Sequence, residues 1–194
     1  MRVVVITPPE PVVTTDEAKR HLKQDSDDDA QLIASYVAAA TAHIDGPDGW
    51  LGRCIGVQTL EARVDVFCDA MALPYPPLVD IVAVKYLDDT GTEITLLPAF
   101  YETRGTLIGS AFGKRWPSVA VHPESVRIQY RAGYAPRTVG ETTISTVPES
   151  IKAAILLMAG DLYRNRSTAN DKIAQAVPMS ITVKNLLDPF RIFR

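Results

Sequence analysis

The hydrophobic period of this chain changes twice along its length, and nothing else in the sequence constrains the fold as tightly. Leu32, Ile33, Tyr36, Val37, Ala40 and Ile44 recur at helical spacing. Between Gln58 and Phe67 the period drops to two, with Leu60, Ala62, Val64 and Val66 alternating with Glu61, Arg63 and Asp65, the pattern of a strand with one wet face. Helical spacing returns at Ile151, Ile155, Met158 and Leu162. Strands bracketed by helices predict an α+β chain, in which the helices of both ends form a small bundle and a mostly antiparallel β domain is inserted between them. The expected division is 1–54 for an N-terminal arm and helices, 55–134 for the inserted β domain, and 135–194 for a linker, C-terminal helices and a tail.

Local signals refine this outline. Thr14 and Glu17 have capping-box spacing and predict a short helix over 15–23 with Ala18 and Leu22 inward. The run Asp25-Ser26-Asp27-Asp28-Asp29 should end it and cap the next, because carboxylates are favoured at the positive end of a helix. Gly46-Pro47 should stop that second helix. The proline-rich stretch from Leu73 to Pro77 suits an edge or crossing segment. Ile81 to Leu87 and Glu93 to Leu97 read as a hairpin around Asp88-Asp89-Thr90-Gly91, followed by short pieces at 101–103 and 106–108. Val126, Ile128, Tyr130 and Ala132 alternate with Arg127, Gln129 and Arg131 in a late strand. A polar linker over 135–147 leads to Pro148, which suits a first helical turn. Asn165 to Ala174 is polar, and a last short helix is expected over 180–187.

Composition excludes more than it nominates. The chain has 194 residues, 46% of them hydrophobic, enough for a core without disulfide or metal support. Twenty basic against 23 acidic residues give a net charge of −3, unlike the strongly basic footprint of a dedicated nucleic-acid binder. Two cysteines, Cys54 and Cys68, make no disulfide framework and read as small buried or half-buried side chains. The opening MRVVVITPPEP has an apolar run of only four residues, Val3 to Ile6, before its prolines, short of a secretory or membrane segment, so a reducing cytoplasm is the expected place of synthesis. Phosphate-binding glycine loops, nucleophile elbows and HExxH are all missing. His21, His43 and His122 lack ligand spacing. No catalytic residue, cofactor or metal is expected.

The tail stands out instead. Leu186, Leu187, Asp188, Pro189, Phe190, Arg191, Ile192, Phe193 and Arg194 combine apolar anchors with two arginines, whereas a terminus without a partner is usually polar and frayed. Either it folds back on its own domain, or it docks on another chain with anchors of the kind common at interfaces. The N-terminal VVVITPPEPVV has the same two readings, the second being addition to a neighbour's sheet edge.

The ordered set of segments resembles a known family. "VTTDEAKRHLKQDSDDDAQLIASYVAAATAHIDG", "LPYPPLVDIVAVKYLDDTGTE", "VRIQYRAGYA", "VPESIKAAILLMAGDLYRNR" and "LLDPFR" are similar, in order and spacing, to phage head–tail connector (adaptor) proteins of tailed phages, prophages and gene transfer agents. In that resemblance Ile151–Arg166 corresponds to a bundle helix. Leu186–Arg191 corresponds to the family's closing LLxPYR, with Phe190 in place of the usual tyrosine. It implies a structural role at the head–tail interface of a virion assembled in a bacterial host, in a ring of twelve-fold symmetry below the portal. The implied partners are the portal protein, reached by the tail 186–194, the next neck or tail component, met by loops such as 88–91, and further copies of the chain. DNA would pass the channel without specific binding, which slight acidity suits. The competing readings are another neck or tail-completion protein, and a small enzyme with a dispersed site such as His43, Asp45 and Tyr130.

Overall fold

The computed structural model describes residues 1–165 and 179–193. The chain divides into two compact units, Met1–Glu10 with Arg53–Ala135, and Pro11–Gly52 with Pro136–Arg194. Helices and antiparallel sheets are both present, the α+β class that the two changes of period predict.

In the first unit the strands are β1 (Arg2–Thr7), β2 (Gln58–Val64), β3 (Ala70–Ala72), β4 (Leu78–Leu87), β5 (Glu93–Leu96), β6 (Tyr101–Arg104), β7 (Leu107–Ser110) and β8 (Val126–Ala132). They form a five-stranded antiparallel sheet in the order β1-β2-β8-β4-β5 and a three-stranded one in the order β3-β7-β6. The late strand β8 takes the centre, where Ile128 pairs with Ala62 on one side and Val84 on the other. Val126, Ile128, Tyr130 and Ala132 are buried with Leu60, Ala62 and Val84. The Tyr130 hydroxyl donates to the Pro74 carbonyl at 2.8 Å, so its ring is buried without losing a hydrogen bond.

Three expectations change here. The first ten residues join the β unit instead of forming an arm with the helices: β1 pairs antiparallel with β2, placing Val3 opposite Ala62 and Val5 opposite Leu60. The alternating face is also not simply wet, because Glu61 is only 5% exposed. Its carboxylate accepts from Gln129 Nε2 at 2.8 Å and Arg63 Nε at 2.7 Å, and such long neighbours cover it while satisfying it. Cys68 is exposed, not buried; Cys54 is buried.

The second unit holds α1 (Thr15–Leu22), α2 (Ala30–Ile44), α3 (Glu149–Arg164) and α4 (Ile181–Leu187). Its capping box is complete: Glu17 N donates to Thr14 Oγ1 at 3.2 Å, and Thr14 N donates to Glu17 Oε2 at 2.8 Å. The aspartate run acts differently from a cap. Asp29, at the start of α2, makes no side-chain cap bond; it accepts from the Tyr163 hydroxyl at 2.5 Å, and Asp27 pairs with Lys19. These carboxylates tie the corner between α1 and α2 to neighbouring helices. Within α2, Ile33, Val37, Ala40 and Ile44 are buried as the period requires.

On α3 the inward residues are Ile151, Ala154, Ile155, Ala159 and Gly160, while Met158 is half-buried and Leu162 is 39% exposed. Gly160 faces α1: a Cβ there would lie 3.5 Å from the Leu22 side chain, an ordinary contact. Pro148 sits at the N-cap, one position before the first turn. The expected linker contains a hairpin, β9 (Arg137–Val139) and β10 (Thr142–Ile144), turned at Gly140 with φ +63°. Most of the polar stretch 165–174 lies outside the described residues. Ser180 caps α4 by accepting from Val183 N at 3.3 Å. Among the described residues no helix is long and apolar enough to cross a membrane.

Candidate functional site

The dispersed residues of the enzyme reading do not share a unit. His43 is exposed and Asp45 buried in the helical unit, whereas Tyr130 lies in the β core with its hydroxyl engaged. His21 and His122 are exposed. Among the described residues no group of three or more histidine, cysteine or acidic side chains is placed to hold a metal.

The charged groups of the β unit are instead matched with one another. Glu124 accepts from Arg2 at 3.0 Å and Arg63 at 3.1 Å, Glu93 from Lys85 at 3.0 Å and Arg127 at 3.2 Å, and Asp80 pairs with Arg131. Arg63 and Arg2 hold the Glu124 carboxyl below its usual range, and Arg131 does the same for Asp80. At Glu61 burial pushes the pKa up, but the bonds from Gln129 and Arg63 outweigh it and the net shift is downward. Groups held in their charged form lock geometry and are poor proton carriers at neutral pH. At the Asp88 turn, Asp88 Oδ1 accepts from the Thr90 hydroxyl at 2.6 Å and from the amides of Thr90 and Thr92 at 2.9 Å each. That loop is therefore a fixed exposed turn.

The tail residues are close together and unequally covered. Leu187 is fully buried and Leu186 half-buried at the end of α4; Asp188–Phe190 form a 3-10 turn in which Pro189 is exposed and Phe190 half-buried. Arg191 then stacks on Trp50, its guanidinium carbon 4.1 Å from the ring centroid, and lies 4.7 Å from the Phe193 centroid. Ile192 N donates to the Leu51 carbonyl at 2.9 Å. Gly52 makes this approach possible: its φ is +66°, and a Cβ there would stand 2.7 Å from the Ile192 carbonyl oxygen. Phe193 remains 78% exposed, and Arg194 lies outside the described residues. The tail is thus seated on its own unit through Leu187, Arg191 and Ile192, while its last aromatic faces outward.

Trp50 and Gly52 are the parts of this seat that sequence reasoning missed. They fell within the turn-rich joint GPDGWLGR, where no periodicity distinguishes them. Phe112 and Val121, both essentially fully exposed in the β unit, were missed as well.

No family model matches the chain, and no match is found among curated proteins. Solved structures do match, over 100% of this chain and 97% of theirs. One is a chain in the neck of an empty gene transfer agent particle computed with C6 symmetry, at 20% identity and a TM-score of 0.71. Another is in the virion of a native gene transfer agent particle, at 20% identity and 0.73. A third is in the neck of a native particle computed with C12 symmetry, at 21% identity and 0.71. At such identities the likeness establishes the fold: this chain has, over its whole length, the α+β fold of those neck and virion chains.

Proposed function

We propose that the chain is a structural head–tail connector (adaptor) subunit of a tailed phage or phage-like particle. Copies would form a ring below the portal that extends the DNA channel and links head to tail. The observation that carries this reading is a fold likeness spanning both units and nearly the whole of each neck chain. A shared small domain would leave one unit unmatched. Symmetric neck particles support a ring of copies here. The role is binding, not catalysis, and its place is the head–tail interface of the virion.

The tail supplies the contact with the portal in this reading. Phe193 is the exposed anchor, and Arg191 is held ready beside it. The fixed Asp88–Gly91 turn is a surface for the next neck or tail component. DNA passes without specific binding in this reading, which a net charge of −3 suits. Co-purification with the portal encoded nearby tests the proposal, using the full chain and a chain ending at Asp188. The full chain should be retained and the shortened one lost. Failure of the full chain to bind overturns the connector role, and equal retention of both overturns the role of the tail.

A further inference from the structure

The hairpin β9–β10 has no core of its own. Every residue from Pro136 to Thr146 is exposed, including Val139 at 51% and Ile144 at 46%. Five of these eleven residues are threonine or valine at strand positions or Ile144, types that pack well on a pleated surface. Thr142 pairs with Val139 and Ile144 with Arg137, so Arg137, Val139, Thr142 and Ile144 share one face and Thr138 and Thr143 the other. A two-stranded hairpin without a third strand or a packed face is marginal in water. It gains most from a sheet edge with apolar side chains at the right spacing.

The same chain carries such an edge. β1 ends the five-stranded sheet, and no strand lies beyond it among the described residues. From Arg2 to Val5 its register with β2 is regular; the irregularity comes only between Val5 and Thr7. Its core-side residues are Val3 and Val5, and Val5 is left 41% exposed at the edge. Natural edges are commonly guarded by proline or inward charge, and the regular stretch Arg-Val-Val-Val has neither.

We infer that β10 of the hairpin of one copy adds to the β1 edge of a second copy, placing Ile144 beside Val5 with Val139 one strand further out on the same face. The occupant is a second copy because this chain holds both complementary halves, a strand donor in one unit and a strand acceptor in the other. The charges also allow it: the hairpin carries one arginine and one glutamate, and the regular edge a single arginine. A donor-to-acceptor contact is head-to-tail, the kind that closes into rings. In that respect the inference deepens the connector reading and rests on it for the ring, while the pairing itself is testable with the chain alone.

The test mixes two full-length chains. A 15N-labelled Thr143→Pro chain, with its β1 edge intact and its own hairpin broken, receives excess unlabelled native chain. The amides of 2–5 should shift or broaden while those of the other edge, Glu93–Leu96, stay in place. Unlabelled Thr143→Pro or Val139→Asp chain should leave all of them unmoved. Melting of both variants should stay close to that of the native chain, since no residue from 136 to 146 is buried. Unmoved β1 amides with native chain, or equal shifts with the variants, overturn the inference; the latter result means that two β1 edges pair directly. Portal co-purification of the native chain separates the two readings: the connector role stands or falls there, and the strand addition on the β1 amides.

Discussion

Truncating the two ends of the tail should give opposite balances of stability and binding. Leu187 is fully buried, so Leu187→Ala removes a core side chain and leaves a cavity, at a cost of about 2–5 kcal/mol. Phe193 is 78% exposed. The remaining fifth of a side chain whose full burial contributes about 1.5–3 kcal/mol is worth roughly 0.3–0.7 kcal/mol. Its stacking near Arg191 adds about 0.5–1 kcal/mol at an exposed site. Phe193→Ala should therefore cost about 1 kcal/mol of stability. As an anchor in a partner's pocket the same ring would contribute at least about 2 kcal/mol, a loss of roughly 30-fold in affinity. Urea unfolding followed by helix content gives the first quantity, and titration of the portal the second. The reasoning is refuted if Phe193→Ala destabilises the chain as much as Leu187→Ala, or if it leaves portal affinity unchanged.

Other consequences are simpler to read. Gly52→Ala must accept a left-handed conformation and a Cβ 2.7 Å from the Ile192 carbonyl, so the seat should open and the Ile192 amide should lose its hydrogen-exchange protection. Thr14→Ala removes the acceptor for the Glu17 amide and should cost about 1 kcal/mol in urea unfolding, while the bond from its backbone N to Glu17 survives; combined with Glu17→Ala, the departure from additivity should be small, because the two changes share only the Thr14 hydroxyl–Glu17 bond. Acid should loosen the β unit. The carboxyls of Glu61, Glu124 and Asp80 have folded pKa values below their ordinary ones, so the stability they contribute is complete above about pH 5 and is lost as pH falls through the depressed values. Unfolding midpoints measured between pH 7 and 3 should fall with pH, and Glu61→Gln should flatten that dependence.

What the sequence made legible divides along a physical line. Periodicity reports which face of an element is buried, and it placed Ile33, Val37, Ile44, Ile128 and Tyr130 inside correctly. On α3 it favoured large residues over geometry. Met158 and Leu162 fit a four-three-four spacing, yet the buried face of α3 is Ile151, Ala154, Ile155, Ala159 and Gly160, so small residues that carry little hydrophobic signal mark it as much as large ones. Composition misled at 135–147, where threonine reads as polar and hence as linker. Its branched Cβ is also a strand signal, and β9 and β10 follow it.

The tail shows the remaining limit. Its apolar content announced that something must cover it, and Leu187 and Ile192 are indeed partly spent at home. What covers it was invisible, because Trp50 and Arg191 meet across most of the chain with no spacing rule to join them. Gly52 read as one more turn glycine, although its missing Cβ is the condition for the seat. In the proposed reading, folding back and docking outward become a division of labour along residues 186–193. The inner ones are committed to the chain's own core, which fixes the direction in which the last aromatic is offered. Fixing that direction in the free subunit lowers the ordering cost of binding, so a seat that opposes partner capture and a seat that assists it make different predictions for Gly52→Ala. Weaker portal binding by that variant, with Phe193 intact, is the outcome expected of a seat that presents the tail; stronger binding would mean that the tail must first be released.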